Sequence, residues 1–170
     1  MSKKTSRSKK SLERLALGSD ETIYQTEYNP NLLESFDNKN PTKEAFTSFL
    51  CTEFTSLCPK TNQPDFARLT INYIADKKMV ESKSLKLYLF SFRNHGDFHE
   101  DCIQKICDEL AKLIRPHFLE VIGEFTPRGG IAIYPYSSYS SVKKKFKDLK
   151  QKRLFEYSPG KYTADFSKIY

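Results

Sequence analysis

No apolar run in the 170-residue chain approaches the roughly 18 residues a membrane span requires. The start, Met1-Ser2-Lys3-Lys4, lacks the apolar stretch of a secretory signal, so a cytoplasmic protein is expected. The four cysteines, Cys51, Cys58, Cys102 and Cys107, form no Cys-x-x-Cys pair. A reducing compartment would keep them as thiols, leaving one free to act as a nucleophile. No Gly-x-Gly-x-x-Gly follows a strand pattern, so any nicotinamide cofactor would bind outside a Rossmann domain. There is no internal repeat, and the length suits one domain with a real core.

The formal charge of +7 is concentrated at the two ends. Residues 1–14 hold six Lys/Arg against Glu13, and residues 143–153 hold seven against Asp148, which leaves the remainder at about −4. Such runs read as solvated segments, with a phosphate-holding or RNA-binding role as the alternative. Residues 1–18, rich in Ser and Lys, are expected to be a disordered basic tail ahead of a single domain spanning 19–170.

Glu81 to Glu100 is the most informative stretch. Leu85, Tyr88, Leu89 and Phe92 recur at helical spacing and must face a core. Asn94-His95-Gly96-Asp97 breaks that period with residues that tolerate unusual backbone angles. Ile103, Ile106, Cys107, Leu110 and Ile114 then continue a helical stripe ended by Pro116. Before this unit, Leu32-Leu33 with Phe36 suggests a short docked segment. Phe46 to Phe54 has strand character, with Phe46, Phe49, Cys51 and Phe54 as core candidates. Thr55 to Asp65 reads as a loop by its two prolines and Asn62. In Phe66 to Ala75, Leu69, Ile71 and Tyr73 alternate with Arg68, Thr70 and Asn72, the pattern of a half-buried strand. Phe118 to Thr126 and Ile131 to Tyr136 read as strands joined by a hairpin-like Pro127-Arg128-Gly129-Gly130 turn. Strands, two helices, strands give an α+β fold with both helices on one face of an antiparallel sheet. The other face needs cover, and a second subunit is one way to supply it.

Cys58 is the leading nucleophile candidate, because a thiol in a Pro-bounded loop is kept out of the core. Its use requires a nearby base or cation. Asp65, seven residues on, can fold back toward the thiol and carry its proton, although a turn cap is the commoner role for such an Asp. Asp97 and Glu100 have capping-box spacing, which makes Glu100 a helix cap on spacing alone. His99 has the chemistry of a proton carrier or of a structural hydrogen-bonder. Arg128-Gly129-Gly130 forms either an anion-binding nest or a tight turn.

Thr55 to Thr61, Gln63 to Phe66, Glu81 to Glu100 and Phe125 to Gly130 together resemble the NADPH-dependent 7-cyano-7-deazaguanine reductases, the nitrile reductases of queuosine biosynthesis, in their short single-domain form. The similarity runs from about Leu33 to Tyr136 and does not include the basic ends. Asn62 stands where that family commonly has Gly, and Asn also accepts left-handed angles.

The resemblance implies a tunnelling fold of ββααββ subunits assembled as two stacked pentamers, with sites between subunits. It implies Cys58 as nucleophile, Asp65 as general acid/base and His99 as an aid to proton transfer. Val80, Glu81, Ser82, His99 and Glu100 would contact the 7-cyano-7-deazaguanine substrate. Ser82, Lys83, Arg128 and Gly129 would contact NADPH. No metal, membrane or direct nucleic-acid partner is implied. A zinc hydrolase of related fold is the main rival, but only His99 and Cys102 stand at short ligand spacing.

Overall fold

The structure is a computed structural model that describes residues 24–158, so the expectation for the 1–18 tail falls outside it. A 3-10 turn at Pro30–Leu32 leads into a short strand β1, Ser35–Asp37. The long strands β2, Phe46–Leu57, and β3, Pro64–Ile74, form a hairpin, and β4, Lys78–Val80, follows. Helix α1 spans Ser82–Phe90 and runs into a 3-10 turn at Ser91–Asn94, and α2 spans His99–Ile114. Strands β5, Phe118–Phe125, and β6, Tyr136–Ser140, precede a helix, α3, Lys144–Phe155.

Four strands form an antiparallel sheet in the order β2-β3-β5-β6, and β1 pairs with β4 in a separate two-stranded ribbon. The two-helix crossover between β3 and β5 lays α1 and α2 on one sheet face. Leu69, Ile71 and Tyr73 of β3 meet Leu85, Tyr88 and Phe92 and the α2 stripe of Ile103, Ile106, Leu110 and Ile114 in one buried cluster. Each such side chain contributes about 1.5–3 kcal/mol on burial. Helix α2 ends where Arg115 turns left-handed, at φ 44°, directly before Pro116. Gly123 lets α2 approach β5, since a Cβ there would stand 2.7 Å from Ile103 Cδ1.

Several boundaries differ from the sequence reading. The Thr55 to Asp65 loop shrinks to Cys58–Gln63, because strand pairing runs through Ser56 with Asp65 and Leu57 with Pro64. Pro64 fits as the first residue of a strand, where its missing N–H costs no ladder bond. Phe46 is exposed rather than buried, and a register shift between Cys51 and Phe54 returns Phe54 to the core. The strand expected over Ile131 to Tyr136 begins only at Tyr136.

Residues 143–153, read as a solvated run, are mostly helix. Phe146 of α3 is buried, stacked on His117 with ring centroids 4.6 Å apart. Arg153 reaches the fully buried Glu120 through Nε at 3.0 Å and Nη2 at 2.6 Å. Helix α3 thus covers part of the second sheet face, while Phe46, Leu50 and Phe66 on that face remain exposed. No helix among the described residues is long and apolar enough to cross a membrane.

Candidate active site

Cys58 begins the loop that joins β2 to β3. Its N–H donates to Gln63 O at 2.9 Å and its carbonyl accepts from Asn62 N–H at 2.9 Å, which closes the loop tightly. Asn62 takes the left-handed conformation this closure requires, at φ 54°. The Thr61 hydroxyl and the backbone amides of Lys60 and Thr61 donate to the Cys58 sulfur, and Arg128 adds positive charge nearby. These favour the thiolate and lower the thiol to about 7. Burial instead raises Cys51, Cys102 and Cys107 to about 11, 12 and 11. Cys58 is therefore the one cysteine poised for nucleophilic attack near neutral pH.

The turn between the two helices is strapped to this loop. Leu57 N–H donates to His95 O at 2.9 Å, and Asp97 N–H donates to Leu57 O at 3.1 Å. Gly96 lies against Pro59, and the turn, though built of residues that tolerate unusual backbone angles, uses no left-handed one. Because Leu57 directly precedes Cys58, the strap brings the first turn of α2 beside the thiol. Cys58, Pro59, Asp65, Asp97, Phe98, His99, Glu100, Arg128, Ile131 and Ile133 line one cleft of about 320 Å³.

Within the cleft Asp65 is almost fully buried, with His99 Nε2 3.2 Å from Oδ2 and Arg128 Nη1 2.8 Å from Oδ1. The His99 ring lies flat on Phe125, centroids 3.9 Å apart, which fixes its plane. Asp65 Oδ2, His99 Nδ1 and Arg128 Nη1 are nevertheless buried without an aligned hydrogen bond. Such atoms carry a desolvation cost that a polar ligand can relieve. Arg128 is held by a two-residue turn in which Arg128 and Ile131 exchange backbone bonds of 3.0 and 3.1 Å across Gly129 and Gly130. Both glycines have positive φ, 57° and 81°, as a type I′ turn requires.

The capping box is absent. Phe98 stands at the N-cap of α2 with no side-chain cap bond, and Asp97 is engaged by Lys105 instead. Glu100 is exposed on the cleft wall, and no hydrogen bond or ion pair holds it among the described residues. Glu81 is the residue that caps a helix: its buried carboxylate accepts from Lys83 N–H at 2.9 Å and Ser84 N–H at 2.6 Å at the start of α1. Val80, Glu81, Ser82 and Lys83 do not line the Cys58 cleft. One chain therefore divides the expected site residues between two places. Sequence reasoning missed Thr61, whose only signal was a hydroxyl three residues after a cysteine in a tight loop. It also missed the partnership of Arg128 with Asp65, which only the folded sheet brings together.

Among the described residues, no three His, Cys, Asp or Glu side chains gather in a group able to hold a metal ion. A family model described as QueF-like protein matches residues 64–144. The NADPH-dependent 7-cyano-7-deazaguanine reductase of Bdellovibrio bacteriovorus is 66% identical over 170 residues, all of both chains. The protein of the same name from Neisseria meningitidis is 60% identical over 141 residues, covering 83% of this chain and 90% of its own. That of Bacillus cytotoxicus is 54% identical over 149 residues, covering 88% and 90%. Among solved structures, the apo archaeosine synthase QueF-Like superposes with a TM-score of 0.54 at 15% identity, covering 59% of this chain and 99% of its own, a likeness of fold alone.

Proposed function

Because the chain belongs to the NADPH-dependent 7-cyano-7-deazaguanine reductases, we propose that it reduces the nitrile of 7-cyano-7-deazaguanine to the amine of 7-aminomethyl-7-deazaguanine, in queuosine biosynthesis in the cytoplasm. The observation that carries the reading is the thiol held at about 7 in a cleft it shares with Asp65, His99 and Glu100.

Cys58 adds through its sulfur to the nitrile carbon while Asp65 passes a proton to the nitrogen, giving a thioimide on Cys58. A nitrile accepts hydride poorly, and covalent attachment divides the task into easier steps. His99, 3.2 Å from Asp65, returns a proton to the carboxylate after each transfer. NADPH, when bound, supplies the hydride, and two are consumed per nitrile. After the first reduction the carbon–sulfur bond breaks and Cys58 leaves as the thiolate its surroundings favour. The cleft then keeps the imine in place for the second reduction. Glu100, free on the cleft wall, accepts N–H bonds from the purine edge, a charge-assisted pairing.

An anionic cofactor fits the residues present. Arg128 Nη1, though 2.8 Å from Asp65 Oδ1, makes no aligned hydrogen bond, and nothing stands within 4 Å of where a Cβ on Gly129 would sit. Arg128 and Gly129 would hold it from one side and Ser82 and Lys83 from the other. Since Val80 to Lys83 lie outside the Cys58 cleft of the same chain, a neighbouring copy would bring them to it. Two stacked pentamers of a tunnelling fold would supply that arrangement, and the exposed Phe46, Leu50 and Phe66 offer surface for subunit contact.

The test is to incubate protein and nitrile without NADPH and map the product by mass spectrometry. Addition across the nitrile retains every atom, so the Cys58 peptide gains the full mass of the substrate, and Cys58→Ala gains nothing. An adduct on Cys51, Cys102 or Cys107 instead would refute the assignment.

A further inference from the structure

One residue of the cleft wall, Asp97, is the centre of a charged cluster that the reaction above does not use. Asp97 Oδ1 accepts from Phe98 N–H at 3.1 Å, while Oδ2 faces Lys105 Nζ at 2.8 Å and His95 Nε2 at 3.3 Å. Lys105 Nζ also stands 3.0 Å from His95 Nε2 and 5.1 Å from the centroid of the Tyr28 ring. Tyr28 in turn stacks on His95 with centroids 4.7 Å apart. Burial opposes the charge on Asp97, but Lys105 and then His95 more than offset it, and the carboxyl is held below its ordinary range.

Asp97 has an unusual position in the chain of contacts. Its N–H is bound to Leu57 O, one residue before the nucleophile, and its side chain holds the residue directly before His99 and Glu100. No side chain caps α2, so the usual device for fixing a helix start is missing here. Lys105 projects from the second turn of the same helix back to Asp97 and ties the helix to the turn. A bond of this kind sets the angle at which the first turn of α2 meets the Cys58 loop.

We propose that Lys105 is a positioning residue, which through Asp97 holds the start of α2 so that Glu100 and His99 face the substrate bound over Cys58. This rests on the reading of Glu100 as the carboxylate that grips the purine. Loss of Lys105 loosens that grip without touching the sulfur. A displacement of about 1 Å in a positioning element is enough to cost up to 10²-fold in rate or binding.

Steady-state kinetics of the full chain with nitrile and NADPH, alongside iodoacetamide alkylation of Cys58, test this. Lys105→Met is expected to raise KM for the nitrile about 10-fold, equivalent to about 1.4 kcal/mol. The alkylation profile of Cys58 should stay in place. Lys105→Arg, which still donates to Asp97, should recover KM to within about 2-fold, a rescue that simple packing would not give. Asp97→Asn keeps the acceptor for Phe98 N–H, so combined with Lys105→Met it should do no more damage than either change alone. An unchanged KM in Lys105→Met, failure of Lys105→Arg to rescue, or additive losses in the double variant would each overturn the proposal. Glu100→Gln separates the two ideas. If it leaves KM unchanged while Lys105→Met raises it, Glu100 fails as the purine contact and Lys105 still positions the helix start.

Discussion

His99 Nε2 stands 3.2 Å from Asp65 Oδ2, and the two residues arrive there from opposite directions, Asp65 on β3 and His99 at the first position of α2. Phe125 of β5 fixes the imidazole plane beneath them. Replacing His99 by Ala should lower kcat by about 10²-fold, at the low end for a lost general acid/base partner. Alkylation of Cys58 should be unaffected, because His99 is not among the groups that set its titration. Pre-steady-state and alkylation rates measured on the same variant would separate the two effects.

Thr61 is the first contributor to the lowered Cys58 titration. The shift is downward, so the thiolate is the minor form below about pH 7 and the major form above it. Alkylation by iodoacetamide should therefore rise with pH through a midpoint near 7. In Thr61→Val the hydroxyl donor is gone, and the midpoint should move up toward that of an ordinary thiol. A midpoint that stays in place would show that the backbone amides and Arg128 suffice without it.

Gly123 lies where α2 crosses β5. In Gly123→Ala the new methyl meets Ile103 Cδ1 and Cγ1 at 2.7 and 2.8 Å, and Ile103 is fully buried and has nowhere to turn. Overpacking of this kind costs about 1–3 kcal/mol. Thermal denaturation should show a fall of roughly 2–4 °C per kcal/mol for a chain of this size.

Glu120 is fully buried and accepts from Asn72, Tyr136 and Arg153. Arg153→Met would leave a buried carboxylate without its cation, at a cost of about 3–5 kcal/mol. Urea unfolding should reveal a loss of that size. Exposed α3 lysines such as Lys144, replaced by Met, should change stability little.

Much of this molecule was legible in the chain because its helical and alternating periods are strong. The stripes of α1 and α2 and the alternation of β3 all face the core as their spacing demanded. Helix α3 was not legible, since its lysines outweigh its single buried anchor, Phe146, and Arg153 finds Glu120 only across the fold. The capping box failed for a related reason: Lys105, eight residues beyond Asp97, holds the carboxylate that spacing assigned to the helix cap. Glu81 capped a helix unnoticed because Glu is not among the usual capping residues. In the site, the Pro-bounded loop marked Cys58 as a nucleophile candidate, whereas spacing favoured a turn cap for Asp65 and a helix cap for Glu100, and only family resemblance pointed these two to the chemistry. The division of Val80 to Lys83 from Cys58 has no local signature, because it depends on how the chain folds between them.

The central claim, that Cys58 carries the nitrile through its reduction, is tested most directly by following NADPH oxidation with 7-cyano-7-deazaguanine for the parent protein and for Cys58→Ala. Two NADPH consumed per nitrile by the parent, and no turnover by the variant, is the expected result. Undiminished turnover by Cys58→Ala, or a parent that consumes no NADPH with this substrate, would contradict it.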